Sequence, residues 1–241
     1  MAYVLLNENA YQKYQNVLSG FGFDPIALPR DSRLNQTVAA HADTLIFSDG
    51  SMHIVNREYA AFLPGEVHYF MTETDEYLHG NYPNDTAFNA LRIGHYLFAR
   101  RSSLSAAVRN YADESGLSLV NVNQGYARCS VLPLTSARAA ITADEGMAKA
   151  MEGVGIEVLR ISAGHIALEG CAYGFIGGAS FVWEPRNCCS VSRFGRYVYF
   201  FGSLRYHPDG ERISDFIRSH GYEIISLEGE LTDFGGAITV E

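Results

Sequence analysis

The sequence predicts a five-bladed α/β propeller of repeated strand–strand–helix–strand units, with the last strand of the chain closing the ring against the N-terminal unit. Three observations predict it. A strand–helix–glycine–strand pattern recurs four times, and a further apolar strand precedes the last three copies. The first copy lacks that leading strand, while an unpaired strand closes the C-terminus. Ends that complete each other describe a ring, because closure leaves no sheet edge unpaired.

In chain order, Tyr3–Leu6 (YVLL) suits a buried strand, and Tyr11, Tyr14 and Leu18 follow at helical spacing. Gly20-Phe21-Gly22 ends that helix, since glycine enters the left-handed region freely, and FDPIAL resumes as a strand. His41–Phe47 reads as a strand, Ser48-Asp49-Gly50-Ser51 as a hairpin turn and Met52–Asn56 as its return. This opens a fifth unit with a weaker helix at Glu58–Leu63 and a strand near Val67–Met71. The next units run from DTAFNALRI through HYLFA, a helix and Gly116 to LSLVNV, then from CSVLPL through AAIT, a helix and Gly155 to IEVLRI. The last unit pairs a strand at Gly174–Trp183 with VYFF, a helix opened by Pro208-Asp209-Gly210, Gly221 and YEIISL. Asp233–Val240 is the orphan strand. An open α/β sheet with parallel crossovers is the competing architecture, but two strands before each helix speak against it.

The chain has 241 residues, 47% hydrophobic and 19% charged, enough for a full core in a single domain spanning 1–241. A formal charge of -9 and scattered basic residues argue against nucleic acid or an anionic membrane as partner, since both require a basic footprint. The N-terminus lacks a basic signal-peptide region. The most apolar stretch, Val154–Trp183, is interrupted by Glu157, Arg160, His165 and Glu169, which excludes a membrane span. Four cysteines without a secretory signal are expected to be reduced thiols in the cytoplasm. Cys188-Cys189 is vicinal, not a CxxC, and no second pair completes a zinc set, so no metal and no cofactor is expected. GxGxxG after a strand, Walker A, GxSxG and HExxH motifs are absent. Asp144-Glu145 reads as a helix cap with a first-turn acid rather than as catalytic carboxylates.

The runs QGYARCSV, ITADEG, GHIALEG, YGFIGGAS and LTDFGGAIT resemble an uncharacterised family assigned to the pentein fold of guanidino-group-modifying enzymes. Those enzymes include arginine deiminase, dimethylarginine dimethylaminohydrolase, agmatine deiminase and the amidinotransferases. The resemblance covers nearly the whole chain. It implies a site where the leading strands converge, with carboxylates holding a guanidinium, a cysteine nucleophile and a histidine moving protons. The family's nucleophile lies near the C-terminus, where this chain reads Gly235–Glu241 with no cysteine.

Cys129, which opens a leading strand in another blade, is the candidate if the nucleophile has moved, with Arg128 as an adjacent cation; otherwise it is a small buried hydrophobe. His165 loosely resembles the family's His-x-Asp entry, with Ala167 in place of the acid; otherwise it is a loop histidine. Asp43, Asp85 and Asp233 recur at the starts of three leading strands and are expected to crowd one rim of the pore as substrate-binding groups, or else to make side-chain turns. Gly177-Gly178 and Gly235-Gly236 answer to crowding near the axis rather than to a phosphate site. Two functions follow: an enzyme or binding protein for a small cationic, guanidino ligand, and a non-catalytic small-ligand-binding or scaffold protein.

Overall fold

A computed structural model describes residues 2–78, 80–184 and 195–241. The Cys188-Cys189 pair lies outside the described residues. The first blade holds β1 (Ala2–Asn7), α1 (Glu8–Gly20) and β2 (Phe23–Leu28). The second holds α2 (Ala42–Leu45), β3 (Ile46–Ser48), β4 (His53–Asn56), α3 (Arg57–Ala60), α4 (Gly65–His68) and β5 (Thr72–Thr74). The third holds β6 (Leu91–Ile93), β7 (Tyr96–Ala99), α5 (Ala106–Glu114) and β8 (Ser118–Asn121). The fourth holds β9 (Val131–Leu134), β10 (Ala139–Thr142), α6 (Glu145–Glu152) and β11 (Glu157–Arg160). The fifth holds β12 (Ser180–Trp183), β13 (Arg196–Phe200), α7 (Gly210–Ser219) and β14 (Tyr222–Ser226). β15 (Ala237–Val240) ends the chain.

Each blade is a three-stranded mixed sheet. In each, the leading strand is antiparallel to the middle strand, and the middle strand is parallel to the strand after the helix. The parallel pair requires the crossover helix, and the antiparallel pair needs only a hairpin. The expected closure is present: β15 pairs antiparallel with β1, Tyr3 opposite Val240 and Leu6 opposite Ala237. The five repeated sheets, joined this way, match the pentein arrangement.

The local signals act as their chemistry dictates. The glycines that end the four long helices, Gly22, Gly116, Gly155 and Gly221, all have positive φ, from 64° to 87°. Asp144 caps α6 by accepting from Met147 N–H at 2.8 Å. Asp49 Oδ1 accepts from the N–H groups of Ser51 and Met52, which sets the β3–β4 hairpin. Apolar residues fill the seams between neighbouring blades. Val4, Phe23, Phe181 and Tyr199 pack the fifth blade on the first, with Phe181 and Tyr199 stacked at 4.6 Å. Leu91, Phe98, Val131 and Met147 pack the third on the fourth.

The leading segments differ from expectation. His41–Phe47 is not a strand throughout; Ala42–Leu45 is helical and only Ile46–Ser48 pairs. Asp85 lies in a 3-10 turn, Asn84–Thr86, and the strand is only Leu91–Ile93. Gly174–Trp183 is strand only from Ser180. Val67 falls in α4, and the strand of that blade is Thr72–Thr74. Five strands cannot all continue to the axis, so the backbone turns before each one. At the axis most of these residues are buried, and an apolar run then carries no period that separates strand from turn.

The turns form a closed hydrogen-bonded circuit through all five blades. Asp43 N–H donates to Gly235 O at 3.2 Å, Gly236 N–H to Gly178 O at 2.8 Å, and Gly178 N–H to Cys129 O at 3.0 Å. Arg128 N–H donates to Asn89 Oδ1 at 2.7 Å, and Asn89 Nδ2 donates to Asp43 O at 3.0 Å. Four blades contribute backbone, and the third contributes the amide of Asn89. The circuit leaves no room for side chains at Gly177, Gly178 and Gly235. A Cβ on Gly177 would lie 2.2 Å from Val131 O, and one on Gly235 would lie 2.3 Å from the His41 ring carbon Cγ. The crowding expected of these glycine pairs is therefore present.

Candidate functional site

The circuit encloses a polar cluster at the axis: His41, Asp43, Asn89, Cys129 and Asp233, all at most 5% exposed. α2 presents Asp43 in its first turn, with His41 at its N-cap. The turn before β9 presents Cys129, and the turn before β15 presents Asp233. Asn89 Nδ2 donates to Cys129 Sγ at 3.1 Å. Donor atoms of His41, Asp43 and Cys129 lie within 4.8 Å of one another.

The two central carboxylates are held differently. Asp233 accepts from backbone N–H groups on both oxygens, Phe175 to Oδ2 and Gly235 to Oδ1, each at 2.8 Å. Among the described residues, neither oxygen of Asp43 has a hydrogen-bond partner. The thiol of Cys129 and the hydroxyl of Thr44 approach it without hydrogen-bond geometry and only partly oppose the effect of burial, which pushes the Asp43 carboxyl up to about 7. Burial also raises the Asp233 carboxyl. It raises the Cys129 thiol well above its ordinary range, helped by the charges of Asp43 and Asp233 and opposed by Asn89. Burial lowers His41 against the pull of Asp233, so its imidazole is neutral at pH 7. In this state Cys129 is a thiol. A cation placed at Asp43 would favour the thiolate.

A cavity of about 580 Å³ opens along the axis and is bordered by all five blades, including Asp49, Arg92, Thr135, Glu184 and Thr239. Arg128 also lines it. Its side chain donates to Val131 O at 3.4 Å, and among the described residues no carboxylate pairs with it. Burial lowers its pKa, against the charges of Asp43 and Cys129. The side chains of Cys129, His41 and Asp43 do not line this cavity.

The structure thus brings Cys129, Asp43 and Asp233 to one centre. Asp85 is buried nearby in a different setting: Oδ2 accepts from the Tyr126 hydroxyl at 2.6 Å, and Oδ1 has no partner among the described residues. His165 is exposed, and its ring packs beside His207 with centroids 5.5 Å apart. The histidine beside Cys129 is His41. The signal for it was available: His41-Ala42-Asp43 spells the His-x-Asp order that His165-Ile166-Ala167 only approximates. Asn89 had no such signal, because its partners lie about forty residues away in neighbouring blades.

No helix is long and apolar enough to cross a membrane among the described residues. No curated protein matches the chain. A family model described as a family of unknown function (DUF6873) matches residues 5–238, nearly the whole length, and the chain belongs to that family.

Proposed function

We propose that the centre binds a small guanidino compound and that Cys129 attacks it. One observation carries the reading: Asp43 is a buried carboxylate with both oxygens unpartnered among the described residues, beside a cysteine and a histidine. A guanidinium supplies what that carboxylate lacks, two parallel N–H donors and a positive charge. The same charge favours the Cys129 thiolate, whose proton passes to His41. The sulfur then bonds to the guanidino carbon. One C–N bond breaks, and its nitrogen leaves with the proton held on His41. Water adds to the thiouronium carbon and loses one proton to His41. The C–S bond then breaks, the second proton of that water goes to the sulfur, and the thiol is regenerated with a urea-type product, His41 releasing its proton to solvent. Asn89 holds the sulfur in place, and the carboxyl of Asp233 acts on His41 in the direction that favours its protonated form.

A second reading, a non-catalytic pore, is favoured by the enclosure of the cluster: the cavity ends on Arg128, not on Cys129. Labelling decides between them. A haloacetamidine, cationic and planar, labels buried Cys129 faster than exposed Cys171 in the first reading, while a neutral haloacetamide prefers Cys171. Peptide mapping after timed exposure reads the two rates. Labelling of Cys129 by the amidine no faster than of Cys171 would overturn the catalytic reading.

A further inference from the structure

We propose that His41, Asp43 and Cys129 also form a site for a divalent transition metal ion of the zinc class. Among the described residues this is the one set of three potential ligands whose donor atoms gather within 4.8 Å. The set is one nitrogen, one oxygen and one sulfur, a mixture that suits zinc and cobalt rather than calcium or magnesium. Ligands at about 2.0–2.3 Å from a tetrahedral ion stand roughly 3.5 Å apart, so the three need to move inward by about an ångström at most.

Two further observations point to an ion. Asp43 is 5% exposed, and both its oxygens lack partners among the described residues, although a backbone-bonded acid, Asp233, sits close by. The charge also balances. A thiolate, a carboxylate and a neutral imidazole sum to the opposite of a divalent ion, so the ion and its three ligands together carry no net charge, which lowers the cost of burying them. Asn89, donating to Cys129 Sγ, supports the sulfur from outside the ligand set. Three protein ligands leave a fourth position for water.

The metal site stands on this geometry alone. Its consequence rests on the guanidino reading: ion and guanidinium both require the oxygens of Asp43, so each excludes the other, and metal occupancy switches the centre off.

The test is titration of full-length protein with Co2+, following the near-ultraviolet thiolate-to-cobalt charge-transfer band. Cys171, Cys188 and Cys189 are replaced by serine so that Cys129 is the only thiol, with wild-type protein alongside. The expected result is a band that saturates at one ion per chain. Cys129→Ser abolishes it, and Asp43→Asn weakens binding by about 10-fold or more. No band in the single-thiol protein, or a band that survives Cys129→Ser, overturns the site. Arginine-induced thermal stabilisation is measured separately in chelator. Stabilisation without a cobalt band sinks the metal site and leaves the guanidino reading standing; a band without stabilisation does the reverse. With both present, arginine is expected to weaken Co2+ binding, and unchanged Co2+ affinity overturns the mutual exclusion.

Discussion

Asp43→Asn is expected to make the protein more stable at pH 8, by about 4 kcal/mol at most. The folded protein holds the Asp43 carboxyl near pKa 7 against an ordinary 3.8, mainly because burial disfavours the anion. Between those values the folded state keeps a proton that the unfolded chain has released. Stability is therefore greatest below about pH 4, falls as the pH rises towards 7, and stays reduced above it. Asparagine has the same shape and carries no charge at any pH, so the variant loses that decline. His41 contributes with the opposite sign, since its pKa is lowered, and Asp233 contributes with the same sign as Asp43. Comparison of the two proteins across pH 4 to 8 isolates Asp43. Urea unfolding at each pH reads the difference, and thermal unfolding reads it as about 2–4 °C per kcal/mol for a chain of this size. A pH-independent difference would mean that Asp43 is paired in the folded state. A stabilising substitution at the centre of a fold is what a binding site yields when its charged group awaits a ligand.

Asn89→Ala is expected to act in the other direction, destabilising the protein by about 3 kcal/mol. The amide bridges three groups: Arg128 N–H, Asp43 C=O and Cys129 Sγ. Alanine leaves two buried backbone groups without partners and opens the circuit between the second, third and fourth blades. Asn35→Ala is the control. Asn35 is exposed and its side chain only accepts from Thr37 N–H, so its loss changes little. Urea midpoints at fixed slope compare the two. Equal effects would show that the circuit holds nothing together.

The architecture was legible because its signals are local. Stop glycines, apolar periods and an Asp-Gly hairpin act within a few residues, and the unpaired C-terminal strand could only complete the N-terminal blade. The axis was less legible. Asp43, Asp85 and Cys129 could be picked out by residue type, but the turns that carry them could not, since burial of most of their residues erases the period. Asn89 gave no sign at all; its role exists only once segments about forty residues apart meet. His165 carries the more conspicuous local pattern, a glycine-flanked loop after a strand. His41 sat in what reads as an ordinary strand start, two residues before the acid it accompanies.

Thermal unfolding of wild-type and Asp43→Asn protein, in chelator and with arginine, agmatine, methylated arginines and citrulline, tests the central claim most directly. A ligand that binds only the folded state raises the melting temperature by mass action. The account predicts a rise for wild-type protein with at least one of the charged guanidino compounds, none with uncharged citrulline, and none for Asp43→Asn with any of them. No rise with any guanidino compound, or an equal rise in the Asp43→Asn protein, would contradict it.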